Sequence, residues 1–241
     1  MNGLISAIEF LTIIPVKSKN FSLKNSVVYF PLVGIITGSI LVGVNMAAVL
    51  VFPRMVADAF TLIALVILTG ALHLDGFADT IDGIFGGKDR DDTLRIMADE
   101  HIGTFAVVGV FSLLLLKFTL IYGMQESLLY QVLVLMPTLG KYSMVLAIIK
   151  GRSAKSDGLG SSFISSAGNV SLIIAGMITL GCCVFFLGVN GLIIYLIVTA
   201  LTLVLMMISN RMIGGLTGDT IGAINEIVEL CVLMVVFVLV R

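Results

Sequence analysis

Long apolar runs separated by short polar segments make up most of the sequence. A helix that crosses a membrane needs about 20 mostly apolar residues, because the hydrocarbon core is about 30 Å thick and each residue adds about 1.5 Å. Seven runs meet this requirement, and together they predict an all-α, polytopic transmembrane helix bundle. The predicted spans are 27–52, 57–74, 104–123, 129–149, 170–188, 190–209 and 220–240.

Two stretches refine this pattern. The first fourteen residues are apolar but too short to span, and Glu9 interrupts them before Pro15, so we expect a short interfacial or re-entrant helix there. Only Gly188, Asn190 and Gly191 separate the spans at 170–188 and 190–209, which predicts a hairpin. No repeat or linker divides the chain, and residues 1–241 are therefore expected to form a single integral membrane domain.

Composition and charge agree with a membrane protein. Hydrophobic residues make up 59% of the chain and charged residues only 12%, against roughly 25% charged residues in a soluble domain. The net charge is −1, and nucleic-acid binding would need a basic stripe. We therefore expect the lipid bilayer, and no nucleic acid, as a partner.

The basic residues predict the orientation of the bundle. Ten of the fourteen Lys and Arg residues lie in the N-terminal segment and in the loops 75–103, 150–169 and 210–219. The opposite side holds only Arg54 and Arg241. By the positive-inside rule, the N-terminus and the three longer loops face the cytoplasm, which places the protein in the cytoplasmic membrane.

The stretch HLDGFADTIDGIFGGKDRDDTLRIMADEHIG, from His73 to Gly103, holds eight of the fifteen acids. Asp75, Asp79 and Asp82 are spaced i, i+4, i+7, so a helix projects all three from one face. Like charges on one face repel, and a divalent cation removes that repulsion. Mg²⁺ prefers oxygen ligands and is commonly held by one or two carboxylates plus substrate phosphates. The spacing therefore predicts a metal–diphosphate site, with a solvated acidic loop as the alternative.

Two further segments lie on the same predicted side. RMIGGLTGDTIGAINEIVEL, from Arg211, offers a helix start near Thr217, and its Asp219, Glu226 and Glu229 share one helical face. Because a carboxylate within a span needs a buried partner, a salt bridge from the glutamates to Lys117 or Lys141 is the structural alternative. KGRSAKSDGLGSSF, from Lys150, is basic and glycine-rich and suits a phosphate.

At this point the chain resembles the cobalamin synthase family, also called the adenosylcobinamide-GDP ribazoletransferase family. The resemblance runs nearly from end to end, although the family often has arginine where this chain has Ile13, Lys141 and Lys155. The segments that carry it are FLTIIPV (10–16), YFPLVG (29–34), LHLDGFADTIDGIFGG (72–87), RIMADEHIG (95–103), GLG (158–160) and GGLTGDTIGA (214–223).

The resemblance implies a Mg²⁺-dependent transferase that joins adenosylcobinamide-GDP to α-ribazole or its 5′-phosphate and releases GMP, late in vitamin B12 assembly. It leaves open a homo-oligomer or a complex with other cobalamin-assembly enzymes. We assign Asp75, Asp79 and Asp82 to metal binding, and Asp82 or His73 to the general base. The candidate substrate-binding residues are Lys88, Arg90, Arg95, Asp99, His101, Arg152, Lys155, Arg211, Thr217, Asp219, Glu226 and Glu229.

Other membrane proteins remain as alternatives. A CDP-alcohol phosphotransferase uses similar chemistry but expects DG-x-x-A-R, and no Ala-Arg pair follows either DG of this chain. A UbiA-like prenyltransferase expects two separate aspartate-rich loops. A transporter of cations or corrinoids needs polar residues along a pathway through the membrane, whereas the acids of this chain gather at one end.

Overall fold

The computed structural model describes residues 2–154 and 168–240. All their regular elements are helices, apart from a single bridge between Ser153 and Leu216. The helices are α1 (Asn2–Leu11), α2 (Leu23–Ser26), a 3-10 turn (Val27–Tyr29), α3 (Phe30–Ala48), α4 (Arg54–Leu68), α5 (Leu72–Gly86), α6 (Arg90–Ile96), α7 (Thr104–Gly123), α8 (Glu126–Lys150), α9 (Asn169–Ile213) and α10 (Gly218–Leu239). The predicted all-α class is therefore confirmed.

Within these residues, five helical segments are long and apolar enough to cross a membrane, and the bent pair of α4 and α5 adds a sixth candidate. The 45-residue helix α9 contains a break at Gly188, whose φ of 55° and ψ of −128° are not helical. A side chain on Gly191 would overlap the Cys183 carbonyl, so the chain folds back there. The two arms, 169–187 and 189–213, form the predicted hairpin.

The predicted span at 57–74 needs correction, because its helix ends at Leu68. Gly70 and Ala71 both have positive φ, which ends the regular α-helix, and α5 then leaves at 86° to α4. Residues 72–74 thus belong to α5, the helix that carries the three aspartates.

Helix α8 is the centre of the bundle, because 94% of its most apolar 18-residue stretch is buried. It meets α3 closely, because Gly34 and Gly38 face it one turn apart. A Cβ on either glycine would lie 2.5 Å from the Cα of Thr138 or Val134, so only glycine permits this approach. Small residues at this spacing commonly allow membrane helices to meet.

The short N-terminal helix forms as predicted. Helix α1 buries Ser6, Ala7 and Leu11, and Gly3 lies against the Asn25 carbonyl at the start of the first long helical segment. Its ten residues are too few to span. Whether α1 lies at the interface or enters the membrane stays a prediction.

The helix connections fall at two ends of the bundle. We call one the site end; it comprises 69–71, 87–103, 150–154 and 214–217. The opposite end comprises 49–53, 124–125, Gly188 and the end of α10, where Arg54 donates to the Met124 carbonyl and Gly123 contacts Phe237. The acidic stretch and the basic loops therefore share one end, as the sequence predicts.

Candidate functional site

Helix α5 packs against the first turns of α10. A Cβ on Gly76 would lie 2.8 Å from the Asp219 carbonyl oxygen, and a Cβ on Gly222 would lie 3.3 Å from the His73 Cα. Glycine at both positions therefore lets the two backbones come close. This contact brings Asp219 of α10 to the three aspartates of α5.

Asp75, Asp79 and Asp219 form the aspartate group at this contact, with Asp82 one turn farther along α5. Asp75 is exposed and Asp79 is half-buried. The negative charges of Asp75, Asp219 and Asp82 all repel that of Asp79. Among the described residues, no Lys, Arg or His forms an ion pair with Asp75 or Asp79.

A magnesium ion fits this group in charge and in ligand chemistry. The described residues contain no set of three His, Cys, Asp or Glu side chains arranged to hold a metal by themselves. Mg²⁺ commonly takes only one or two carboxylates and fills its other positions with water and substrate phosphates. The carboxylates of Asp75 and Asp79, which repel each other and form no ion pair within the described residues, match that requirement.

Asp82 instead caps helix α7. Its Oδ2 accepts from the Gly103 amide at 2.5 Å, and its Oδ1 accepts from the Ala106 amide at 2.9 Å. The residue is buried, and a carboxylate at a helix N-terminus both satisfies free amides and complements the helix dipole. The predicted base and metal-ligand roles of Asp82 thus compete with a structural one.

His73 lies inside the bundle and not at the surface of the aspartate group. Its side chain is 2% exposed, and its Nε2 has no hydrogen-bond partner within the described residues. The positive charges of Lys141 and Lys117 would repel a positive charge on its ring. His73 is therefore buried between helices, and its role as the base stays a prediction.

Glu226 and Glu229 belong to a second group, the buried charge network. Lys117 Nζ donates to Glu226 Oε2 and to Glu229 Oε2, both at 2.7 Å. Lys141 Nζ lies 2.9 Å from Asn225 Oδ1 and 3.5 Å from Glu229 Oε1. The salt-bridge alternative is confirmed, because lysines compensate the charges of both glutamates. Their contact with substrate stays a prediction.

Asn225 completes this network and was missed by sequence reasoning. Its Nδ2 donates to Glu229 Oε1 at 3.1 Å, while its Oδ1 accepts from Lys141. A side chain on Gly140 of α8 would lie 2.7 Å from Asn225 Oδ1. An amide next to a glutamate within an apolar helix was the available signal.

Arg90 and Arg152 join the three loops of the site end. Arg90 Nε donates to the Ile213 carbonyl at 2.9 Å and its Nη2 to the Ala154 carbonyl at 3.0 Å. Arg152 Nε donates to the Gly214 carbonyl at 2.9 Å. Backbone carbonyls thus occupy part of the donor capacity of both arginines, and their contact with phosphate stays a prediction.

The remaining candidates in the acidic stretch pair locally. The Arg95 hydrogen bond of 2.5 Å lowers the pKa of Asp92, and the amide and ring of His101 lower the pKa of Asp99. The ring of His101 is nevertheless 95% exposed. A cleft of about 280 Å³ lies beside these residues and is lined by Asp82, Gly86, Ile96, Asp99, His101, Gly103, Thr104 and Phe105.

Thr217 begins α10 as predicted. Its hydroxyl accepts from the Thr220 amide at 3.2 Å in a capping box and also contacts Asp219 Oδ2 at 3.2 Å. Thr217 therefore has a structural role as the N-cap of α10. Its contact with substrate stays a prediction. Lys88 and Arg211 are exposed at the same end, whereas Lys155 and the glycines at 158 and 160 lie outside the described residues.

Comparison with known proteins identifies relatives of the chain. The family model described as CobS, cobalamin-5-phosphate synthase, matches residues 3–237. An adenosylcobinamide-GDP ribazoletransferase of Desulforamulus reducens is 35% identical over 98% of this chain and 96% of its own length. The enzyme of that name from Geotalea daltonii is 34% identical over 95% of this chain and 94% of its own. No solved structure matches the chain.

Proposed function

Because the chain belongs to the CobS family of cobalamin-5-phosphate synthases, we propose that it is an adenosylcobinamide-GDP ribazoletransferase whose site is the aspartate group. The observation that carries this proposal is the meeting of Asp75 and Asp79 with Asp219, from two helices, at the end of the bundle that also holds the basic loops. A diphosphate substrate needs this combination of carboxylates for a metal and cations for phosphate oxygens.

The reaction is a displacement at phosphorus. The ribose hydroxyl oxygen of the acceptor bonds to the cobinamide-side phosphorus of adenosylcobinamide-GDP, and the bond from that phosphorus to the bridging oxygen breaks. GMP leaves with the electron pair of the broken bond, and the hydroxyl proton passes to a carboxylate of the aspartate group or to water. The acceptor is α-ribazole or its 5′-phosphate, so that the product is a cobalamin or its 5′-phosphate.

Bound Mg²⁺ would neutralise diphosphate oxygens and stabilise the charge that develops on the leaving phosphate. Asp75 and Asp79 would hold it, together with Asp219. Lys88 and Arg211 are exposed at the site end and are the cations we assign to the remaining phosphate oxygens. Asp79 is the proton acceptor that we favour, because Asp82 is bonded to backbone amides and His73 is buried.

The cytoplasm supplies nucleotide-linked substrates, and we propose that the site end faces it. The distribution of basic residues supports this orientation, because ten of fourteen lie in the N-terminal segment and the site-end loops. The apolar helices support an integral protein of the cytoplasmic membrane.

The test is release of GMP by the purified protein in lipid, with adenosylcobinamide-GDP, α-ribazole and Mg²⁺. We expect release that requires the acceptor and stops with EDTA, and the 5′-phosphate acceptor run in parallel distinguishes the two acceptors. Release without an acceptor would indicate a hydrolase, and no release from folded protein would reject the proposal.

A further inference from the structure

A closed ring of contacts joins the helices that form the aspartate group. Asp82 of α5 caps α7, Lys117 of α7 bonds to α10, and Gly76 of α5 packs against Asp219 of α10. Phe77, Leu113 and Ala223, one from each helix, are buried together between them. Each helix of the ring is therefore fixed by a specific contact to the other two.

The Lys117 contact is the one in this ring that joins a buried lysine to two carboxylates. Its side chain is 1% exposed, and its ammonium group lies 2.7 Å from carboxylate oxygens of both Glu226 and Glu229. Lys141 supplies the second positive charge, so that two lysines balance two glutamates. Buried charges of this kind are tolerated only when they are compensated, and removal of one partner leaves another charge exposed to the low-dielectric interior.

We propose that Lys117 is a positioning residue for the metal–diphosphate site, an inference that rests on the proposed function. Glu226 lies seven residues after Asp219 on the same helix, a separation of about 10 Å along the axis. Lys117 holds this part of α10 against α7. It thereby fixes the distance between Asp219 and Asp79 across the contact at Gly76.

The backbones of α5 and α10 are in close contact at Gly76, so a small movement of α10 changes the position of Asp219 relative to α5. A Cβ there would already lie within 2.9 Å of the Asp219 Cα, so α10 cannot move toward α5 and any shift must slide or separate the helices. A misplacement of about 1 Å at a reacting centre can cost on the order of 100-fold in rate. Loss of Lys117 is therefore expected to weaken metal binding before it abolishes the fold.

The experiment compares the metal requirement of variants with their thermal stability. In Lys117→Met, we expect the Mg²⁺ concentration for half-maximal GMP release to rise about tenfold, and Mn²⁺ binding followed by electron paramagnetic resonance to weaken by a similar factor. Adding Glu226→Gln removes the uncompensated charge and is expected to restore thermal stability, but not the two metal values, because the contact between α7 and α10 is still missing.

The opposite end of the bundle supplies a matched control. Asp58 is fully buried, lies 3.5 Å from Arg54 Nε and accepts from Asn45 Nδ2 at 2.8 Å. Asp58→Asn disturbs an ion pair between a buried carboxylate and a partly exposed arginine, far from the aspartate group. We expect it to lower the thermal midpoint without a change in the Mg²⁺ or Mn²⁺ values.

The positioning role is overturned if Lys117→Met lowers only the thermal midpoint and leaves both metal values unchanged. Should that variant fail to fold, Lys117→Met combined with Glu226→Gln removes the same contact without an uncompensated charge, and unchanged metal values in that folded variant would equally overturn the role. A failure of the proposed function looks different: the unchanged protein then releases no GMP at all, while its Mn²⁺ binding still reports on Lys117.

Discussion

The chain holds two groups of carboxylates that differ in how their charges are compensated. In the buried charge network, Lys117 and Lys141 reach Glu226 and Glu229 directly. In the aspartate group, Asp79 instead faces three other carboxylates, and no ion pair reaches it from the described residues. The protein thus provides its own cations where helices must be held together, whereas an external cation is what we propose for the carboxylates at the site end.

Asp79→Asn is expected to have the largest effect on activity. It keeps the shape of the side chain but removes a charged metal ligand, and we expect GMP release to fall by on the order of 100-fold or more. Asp91→Asn is the matched control, because Asp91 is an exposed aspartate of the neighbouring helix α6. Equal activity of the two variants would contradict the assignment of Asp79.

Glu229→Leu is expected to have the largest effect on stability. It leaves Lys117 and Lys141 with one compensating glutamate between them, and breaking a buried pair in this way costs about 3–5 kcal/mol. Denaturation in detergent micelles measures this loss. A stability loss below about 1 kcal/mol, the range of surface ion pairs, would remove the distinction between the two groups.

Asp82→Ala is expected to act through α7. The substitution removes the acceptor of the Gly103 and Ala106 amides, and loss of a helix cap costs about 1–2 kcal/mol. Asp82→Asn keeps one acceptor oxygen and should retain part of this stability, as measured by hydrogen exchange of the first turn of α7. Full stability of Asp82→Ala together with loss of GMP release would return Asp82 to the catalytic group.

Asp92 is expected to show the smallest effect, and one that depends on pH. The Arg95 hydrogen bond lowers the pKa of Asp92 in the folded protein below its ordinary value of 3.8. The contribution to stability is therefore complete above pH 3.8 and is lost as the pH falls through the lowered pKa. Hydrogen exchange of α6 should quicken in acid in the unchanged protein, and this change should be absent from Asp92→Asn.

The sequence predicts the all-α class and the long apolar helices, because hydropathy and length indicate which segments are able to cross a membrane, whereas the number of seven spans stays a prediction. It did not predict the end of α4 at Leu68, although Gly70, which takes a positive φ directly after the helix, was a local signal for a helix end. The hairpin at Gly188 was predictable, since small and polar residues interrupted one long apolar run.

The site was predicted in part. Helical spacing placed Asp75, Asp79 and Asp82 on one face, but spacing does not show that the amides of a distant helix bind the third. Spacing likewise grouped Glu226 with Asp219, although lysines from two other helices pair with the glutamates. Such partners lie far away in sequence, and only the packed helices bring them together.

The most direct measurement is titration of the protein with Mn²⁺ in the presence of GDP, a diphosphate probe, followed by electron paramagnetic resonance. We expect the unchanged protein and Asp91→Asn to bind Mn²⁺ alike, and Asp79→Asn to bind it at least about tenfold more weakly. Equal binding by all three proteins would contradict a metal–diphosphate site at Asp79.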